Sequence, residues 1–530
     1  MRKLNLIIFT GLIVLGTSCK KYLDINTDPN RALASSATAE LLLPQALTAT
    51  AADLNQFNSY GMQLAGYGAN AGGFGAFGQA ISYNFSSTYY TGLWNSTYDN
   101  LEDYYAIISK SKTEPTYKYF EAVGRIMLAH NYQLLVDTYN DVPYVDALQG
   151  ADNLTPAYTD AKAVYKDIAA QLDTAINLIN EGNNTVAVKQ LGSSDVLFGG
   201  DLTKWKQFAN TLKLRIILRA GGKVTFLNTT FSADGFLTGD AQVNPGYVRD
   251  NGKQNPKWES WAYTYTGTDA TKSWIPSTFV FGFYNGVKLS DPYRGGNVYY
   301  QFPSKTATNR LGVENNDVPP SVSGNFWYTA VGKNPGTARS GSSTPDTTGV
   351  LKGPGAAFPV LTAAESYFLQ AEAVVRGVIP AGDATTLFNK GIAASFTYLY
   401  TMADGTTIMG NPTADVVSYQ DDNETSPLVN FALAASTEQK IEAIITQKYI
   451  ALNFVNSQEA WNEYRRTHYP RSSGAASADG YATFSSSVSE STRPDRLPTR
   501  LLYPSSEGAY NTANMPRGIS PFTSLIFWAL

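Results

Sequence analysis

Apolar residues recur at helical spacing in paired segments of the chain. Between residues 160 and 179 they occupy every third or fourth position, and polar residues fill the opposite face. Gly182 is expected to end this helix, because glycine readily adopts the conformation that follows a helix C-terminus. Asp201 precedes a second run of the same kind, which ends at Gly221. The two runs predict one helical hairpin.

Three further hairpins are predicted in the same way. One consists of residues 95–109 and 117–138, another of a helix over 365–376 and a partner that begins at Asp383, and the last begins at Ser436. Eight helices in four hairpins predict a mainly α fold, built as a tetratricopeptide-like helical-hairpin scaffold with long irregular insertions.

The helix over 365–376 has a distinct start signal. Thr362 and Glu365 have the spacing of a capping box, in which both side chains bind backbone N–H groups of the first turn. We therefore expect both side chains to act locally at the start of this helix.

Long segments without helical period separate or follow the hairpins. Residues 221–360 are rich in Gly, Asn, Pro, Ser, Thr and aromatic residues. Irregular insertions of this length are usually functional or disordered, and the aromatic density argues against disorder. Residues 60–90 are a second Gly- and aromatic-rich stretch, predicted as a surface loop. Residues 472–491 are predicted as a mobile loop before an irregular C-terminal tail.

Composition excludes several classes of function. The 40 Lys and Arg against 44 Asp and Glu give a net charge of −4, without the basic excess that nucleic-acid binding requires. Two histidines and one cysteine cannot supply a three-histidine zinc site, a disulfide framework or an iron–sulfur cluster. We therefore expect no nucleic-acid partner, no metal and no cofactor. The chain is instead rich in aromatic residues, with 34 Tyr, 25 Phe and 8 Trp, which suit partly wet binding surfaces.

The N-terminus has the pattern of an export signal. Two basic residues precede an apolar stretch over residues 4–15, which is too short to span a bilayer. Leu-Gly-Thr-Ser-Cys then resembles the lipobox of bacterial lipoproteins, with its leucine one place further from Cys19 than usual. This predicts a lipoprotein signal peptide over residues 1–18 and a soluble domain over residues 19–530, anchored by acyl chains on Cys19. A plain signal peptide with an incidental cysteine is the alternative.

Several motifs together resemble the SusD/RagB-like nutrient-binding lipoproteins of Bacteroidetes outer membranes. They occur in the order expected for that family. The segments are KKYLDINTDPN (20–30), DVPYVDALQG (141–150), WKQFANTLKLR (205–215), AEAVVRG (371–377), QKYIAL (447–452), EAWNEYRRT (459–467) and RLLYPSSE (500–507). Two places depart from the family pattern. Asn140 stands where glycine is common, and the segment from Asp291 to Arg294 has one residue more than the usual Asp-Pro-Arg.

The resemblance implies a function as well as a fold. It implies a lipid-anchored, surface-exposed protein of the outer membrane that captures a nutrient for a TonB-dependent, SusC-like transporter. An oligosaccharide is the expected ligand, and a peptide-binding family member or a helical-repeat scaffold for protein interactions are the alternatives. Motif residues on the helices are interpreted as structural, and Arg215 and Arg465 are expected to pair with carboxylates.

No catalytic motif accompanies this pattern. A glycosidase needs two carboxylates that flank a sugar, whereas adjacent acidic pairs such as Glu102 and Asp103 do not face each other on a helix. A Ser-His-Asp hydrolase would have to use His130 or His468, which are interpreted as structural, and the chain has no Gly-x-Ser-x-Gly elbow. Residues 68–78 are glycine-rich but lack the lysine of a phosphate-binding loop. We therefore expect a binding protein and not an enzyme.

The ligand is expected on the loops and not on the hairpins. Hairpin side chains pack one helix on another, whereas residues 60–90 and 221–360 place aromatic residues among Gly and Asn without a core pattern. Aromatic planes stack on the C–H face of a sugar, and amide or guanidinium groups bind its hydroxyls. The predicted ligand-binding residues are Tyr67, Asn70, Phe74, Phe77, Trp258, Trp261, Trp274, Arg294, Trp327 and Tyr328.

The lipobox-like pattern yields a direct test. Cys19→Ala removes the thiol that carries the acyl chains, so the protein is expected in the soluble periplasmic or secreted fraction. Fractionation should be carried out in cells that lack the transporter, because a bound transporter would hold the variant at the membrane. Outer-membrane recovery of the variant in those cells would contradict the assignment.

Overall fold

The computed structural model of the chain describes residues 37–71, 77–185, 187–271, 273–299, 302–303, 309–313, 348–380, 382–474 and 479–530. Its helices are α1 (Ala39–Leu64), α2 (Gln79–Ser82), α3 (Gly92–Thr113), α4 (Lys118–Tyr139), α5 (Ala161–Asn183), α6 (Leu202–Ala220), α7 (Pro256–Trp261), α8 (Thr278–Phe281), α9 (Pro292–Val298), α10 (Ala363–Val375), α11 (Ala384–Tyr400), α12 (Pro412–Asp422), α13 (Thr437–Leu452), α14 (Ser457–Thr467) and α15 (Ser505–Tyr510). The strands are β1 (Gly68–Asn70), β2 (Val142–Pro143), β3 (Tyr158–Thr159), β4 (Ala241–Val243), β5 (Trp274–Pro276) and β6 (Phe358–Leu361).

The four predicted hairpins are present, as the pairs α3–α4, α5–α6, α10–α11 and α13–α14. Asp160 and Asp201 cap α5 and α6, because their carboxylates accept hydrogen bonds from backbone N–H groups of the first turn. Gly221 follows α6 with φ 55, in the left-handed conformation that ends a helix. The prediction of a mainly α helical-hairpin scaffold is confirmed.

Two predicted helix termini are different in the structure. Gly182 lies inside α5 and not after it. The Tyr119 ring packs where a side chain would stand, 2.4 Å from an ideal Cβ, so the glycine makes room for this ring instead of ending the helix. Thr362 caps α10 as expected. The Glu365 carboxylate, however, is buried and pairs with Arg215 at 3.1 Å instead of turning back to the helix start.

The sequence pattern missed the long helix α1. This helix packs against both α3 and α14. Its polar residues Asp53, Asn55 and Asn58 are buried together with its apolar ones. Exposure along α1 does not follow polarity, since Leu41 is 67% exposed, so the usual 3.6-residue alternation of apolar and polar residues is absent. The prediction of a surface loop from residue 60 is therefore wrong over residues 60–64, which belong to α1.

Three two-stranded antiparallel sheets fasten the irregular segments to each other and to the scaffold. Strand β1 pairs with β5, β2 with β3, and β4 with β6. The first pair places Asn70 opposite Trp274 and Gly68 opposite Pro276. It therefore brings together the two loop segments in which the sequence placed the ligand surface.

Part of the segment predicted as a mobile loop is packed against the core. Phe484 is buried, and its ring lies 4.8 Å from that of Tyr464 and 4.9 Å from that of Phe279. An ideal Cβ on Gly66 would stand 2.2 Å from Phe484, so this glycine leaves the room that the ring occupies.

Asn140 ends α4 in a strained conformation, with φ 66 and ψ −107. Glycine adopts this conformation most readily, which accounts for the glycine that is common here in the family that the motifs resemble. The asparagine side chain has its own contact, because Oδ1 accepts a hydrogen bond of 2.7 Å from the backbone N–H of Phe527.

A buried group of charged residues, the ionic core, lies where the four hairpins meet. It contains five cations and five carboxylates, all buried. The cations are Arg215, Arg219, Lys448, Arg465 and Arg466, and the carboxylates are Asp137, Glu365, Glu372, Glu459 and Glu463. They come from α4, α6, α10, α13 and α14, so every hairpin contributes at least one charge.

The strongest geometry of the ionic core is at Arg466. Its guanidinium donates two hydrogen bonds to Glu372, of 2.6 and 2.8 Å, and also pairs with Glu463. Lys448 lies 3.0 Å from Glu463. Burial raises the pKa of Glu463, but the opposing effect of Arg466 and Lys448 is greater and holds that pKa well below its usual range. The carboxylate therefore stays charged inside the protein.

Removing one partner of this core should destabilise the protein strongly. Arg466→Ala leaves Glu372 and Glu463 buried without their main counter-ion, at an expected cost of about 3–5 kcal/mol in the free energy of unfolding. Arg471→Ala is a matched control, because Arg471 forms a two-bond pair with Glu442 but is 70% exposed. That exposed pair should contribute less than about 1 kcal/mol. Equal losses for the two variants in denaturant unfolding would contradict the interpretation.

Asp53 on α1 is a second buried carboxylate with a different electrostatic setting. Its side chain is 4% exposed, and Oδ2 has no hydrogen-bond partner among the described residues. Burial raises the pKa of Asp53 to about 6, and hydrogen bonds from Ser96 and Asn100 offset only part of that effect. Between about pH 4 and pH 6, the Asp53 carboxyl of the folded protein therefore holds a proton that the same group in the unfolded chain has already lost.

This setting predicts a defined pH dependence. The folded pKa lies above the unfolded value of about 3.9, so the contribution of Asp53 to stability is complete below pH 4 and falls as the pH rises to 6. Asp53→Asn should remove this loss and unfold with a free energy roughly 2 kcal/mol higher than the wild type at pH 7. At pH 4 the two proteins should be equally stable. A constant difference across this range, measured by urea unfolding, would show that burial of Asp53 is not the cause.

Candidate functional site

The β1–β5 pair supports a partly exposed aromatic group, which we call the Phe77–Trp274 pair. The two ring centroids lie 4.4 Å apart at an interplanar angle of 58°. Both side chains are half-buried, so part of each side chain is accessible to solvent. Gly68 lies beneath Trp274, with an ideal Cβ only 3.0 Å from the indole, so the absence of a side chain lets the ring lie on the strand.

Trp261 supports the pair from below. It is 5% exposed, its ring lies 6.5 Å from that of Trp274, and it packs edge-on against Phe454 at 4.7 Å. Trp258 is also buried and packs against Tyr263 at 5.7 Å. These two tryptophans do not present a ring face to solvent. The structure thus separates the predicted tryptophans of this region into one accessible ring and two core rings.

Tyr67 and Asn70 lie at the base of the same strand pair. Tyr67 is fully buried, and its hydroxyl donates a 2.6 Å hydrogen bond to the carbonyl of Tyr449. Asn70 is fully buried too, and its carbonyl accepts a 3.4 Å hydrogen bond from Asn309. Both residues are therefore buried beside the β1–β5 strand pair and do not form part of its exposed surface.

Arg294 lies elsewhere, in the interior next to α11 and α13. Its Nε donates a 2.5 Å hydrogen bond to Asp291, and Nη1 donates a 2.9 Å bond to Ser395. The guanidinium is sandwiched between the rings of Phe396 and Tyr419, at 4.7 and 4.6 Å. It is fully buried, so its contacts are those of a structural residue. Phe74, Trp327, Tyr328 and Cys19 lie outside the described residues.

A polar turn near this region was not among the predicted site residues. Residues 263–269 form a hairpin turn whose tip carries Tyr265, which is 41% exposed. Arg249 donates a 2.9 Å hydrogen bond to the Tyr265 carbonyl. The hydroxyls of Thr264, Thr266 and Thr268 form an exposed row. The alternation of Tyr and Thr with a following glycine was the available signal, since it is typical of a short hairpin.

The histidines are structural. His130 is buried, and its Nδ1 lies 3.3 Å from Arg215. Burial, with the neighbouring Arg215, lowers the pKa of His130 to about 3, so the ring stays neutral. His468 ends α14 in a left-handed conformation with φ 58. Within the described residues, no group of three or more His, Cys, Asp or Glu side chains is placed to hold a metal ion.

Two family models match the chain over most of the described scaffold. Residues 29–233 match a family described as starch-binding and associating with the outer membrane, and residues 351–523 match the SusD and RagB outer membrane lipoproteins. Together the two matches span well over half of the chain. The chain belongs to the SusD/RagB-like family.

Solved structures of SusD homologues share this fold. A chitin-binding SusD homologue from Flavobacterium johnsoniae is 21% identical, with a TM-score of 0.65 over 92% of this chain and 98% of its own. A SusD/RagB family protein from Bacteroides thetaiotaomicron is 18% identical, with a TM-score of 0.67 over 93% and 99%. A SusD homologue from Bacteroides fragilis is 19% identical, with a TM-score of 0.65 over 93% and 99%. A search of curated proteins gave no match.

Among the helices of this SusD-like protein that the structure describes, none combines the length and the apolar character needed to cross a bilayer.

Proposed function

We propose that this SusD-like protein is an outer-membrane lipoprotein that captures an oligosaccharide and delivers it to a TonB-dependent, SusC-like transporter. The Phe77–Trp274 pair carries the proposal. It is an accessible aromatic surface, 4.4 Å between ring centroids, at the point where β1 and β5 join the two loop segments. Aromatic surfaces of this kind stack on the apolar face of a sugar ring.

The surroundings of the pair favour a neutral polyhydroxylated ligand. Trp261 holds Trp274 from below, so the ring needs little ordering when a ligand binds. The nearby 263–269 turn offers threonine hydroxyls and an exposed tyrosine. The family description of residues 29–233 names starch, and the relative from Flavobacterium johnsoniae is named as chitin-binding. Both names support a glycan ligand.

The cell-surface location rests on the N-terminal pattern and on family membership. Residues 1–18 are proposed as the lipoprotein signal peptide and Cys19 as the acylated residue, with residues 19–530 as the nutrient-binding domain. The family description of residues 351–523 names outer membrane lipoproteins. Several acyl chains would anchor a domain of this size stably.

Capture without chemistry fits the residues best. His130 is buried and neutral, and His468 serves as a helix terminus. A peptide ligand remains the alternative within the family, and a calorimetric screen that includes both glycans and peptides separates the two. A helical-repeat scaffold for protein interactions predicts that neither class binds to the purified protein.

Two tryptophan variants should separate recognition from folding. Trp274→Ala removes an accessible ring, so affinity for the captured oligosaccharide should fall by about 2 kcal/mol or more while the melting temperature changes little. Trp258→Ala is the matched control, because Trp258 is 3% exposed and its loss should cost about 3–5 kcal/mol of stability. Calorimetric titration with starch- and chitin-derived oligosaccharides measures the first effect, and denaturant unfolding measures the second. Unchanged affinity in folded Trp274→Ala protein would exclude the pair as the ligand surface.

A further inference from the structure

A separate cavity of about 430 Å³ lies on the helical scaffold, between α3, α4 and α5. The loop that follows β2 lines one side of it, with Tyr144, Val145 and Leu148 in its wall. The proposed capture surface at Phe77 and Trp274 shares none of its lining residues. Its volume lies within the range of small-ligand sites.

A continuous chain of polar side chains runs along one wall of this cavity. Arg125 donates hydrogen bonds of 2.9 and 2.7 Å to Glu121 and a further bond to the amide oxygen of Gln171. Gln171 in turn donates a 3.1 Å bond to Asp167, which also accepts the hydroxyl proton of Tyr144. Such a chain fixes each planar group in one orientation and polarises its remaining donors and acceptors.

The charges of this wall balance. Glu121 offsets Arg125, and the lining residues Lys112 and Asp167 carry opposite charges. A ligand with a net charge would therefore gain little here. A neutral ligand with several hydroxyls would find oriented donors and acceptors next to the tyrosine rings.

Tyr132 contributes its ring to the wall of the cavity. It lines the cavity and is 1% exposed, and its ring packs edge-on against Tyr144 at 4.6 Å. Its hydroxyl has no hydrogen-bond partner among the described residues. That hydroxyl has almost no accessible surface, so Tyr132 offers a ligand the side of its ring and not its oxygen.

We propose that this cavity is a second saccharide site, which binds a neutral mono- or disaccharide between Tyr105, Tyr144 and the Arg125–Gln171–Asp167 chain. The inference goes beyond the proposed capture function, because it rests on other residues and holds whether or not the Phe77–Trp274 pair binds a glycan. A protein carrying both sites would hold sugar on its scaffold as well as on its loop surface.

The test uses Trp274→Ala protein, in which the capture surface is disabled and the cavity is intact. Maltose, cellobiose and N,N′-diacetylchitobiose are titrated separately by calorimetry, and at least one is expected to bind with a stoichiometry near one. Adding Ala163→Phe should weaken that binding at least tenfold, because Ala163 is exposed on α5 and its larger replacement fills the cavity. Lys166→Phe is the matched control, exposed on the same helix and not a lining residue.

A second variant guards against loss of folding. Tyr105→Ala removes a 43% exposed ring of the cavity rim and should also weaken binding at least tenfold, with an unchanged melting temperature. Absence of binding by all three disaccharides in Trp274→Ala protein would overturn the proposal. Disaccharide binding that survives both Ala163→Phe and Tyr105→Ala would also overturn it. The same holds if a cavity variant weakens binding of the transporter protein and leaves disaccharide binding unchanged. Failure of the capture function would instead be seen as unchanged oligosaccharide affinity in Trp274→Ala.

Discussion

The ionic core is the constraint on which the rest of the structure depends. Four of its five buried cations form ion pairs with its five buried carboxylates, Arg465 donates to backbone carbonyls, and the members come from all four hairpins. Desolvation of an unpaired charge costs several kcal/mol, so no hairpin can dock stably without the partners that the others supply. The core therefore favours one arrangement of the four hairpins over looser packings. Its charged residues lie on the motif segments of the helices, which carry Arg215, Glu372, Lys448, Glu459 and Arg466.

A scaffold fixed in this way determines which loop aromatics remain accessible. The C-terminal tail is drawn inward, because Trp528 donates a 2.9 Å hydrogen bond to Asp137 and lies 4.9 Å from the Arg465 guanidinium. The long insertion is held by the β1–β5 pair, which buries Trp261 and leaves Trp274 half-exposed. The half-buried position of Trp274 thus reflects the pairing of β1 with β5 and the small size of Gly68.

Local patterns predicted hairpin helices such as α5 and α11, because each keeps exposed positions and an aspartate cap at its start. They failed for α1, whose polar residues are buried between other helices. Longer-range pairings were also beyond local reasoning. Glu365 has the right spacing for a capping box, yet its carboxylate forms an ion pair with Arg215 of another hairpin. Arg465 was expected to pair with a carboxylate, and instead donates to the carbonyls of Asp137 and Thr499. The predicted binding aromatics looked alike in sequence, since Trp258 and Trp274 differ only in what packs over them.

The ionic core and the proposed ligand surface at Phe77 and Trp274 occupy different parts of this molecule, and this bears on how the family can diverge. The ionic core requires a small set of charged residues at fixed helix positions, whereas the loop aromatics need only a supporting strand pair. Solved relatives with 18–21% identity retain TM-scores of 0.65 and 0.67. Low sequence identity with a retained fold is expected where few positions constrain the fold, because the remaining positions can change without disturbing it. Phe77 and Trp274, which form the proposed ligand surface, are not among those charged positions and can change without disturbing the ionic core.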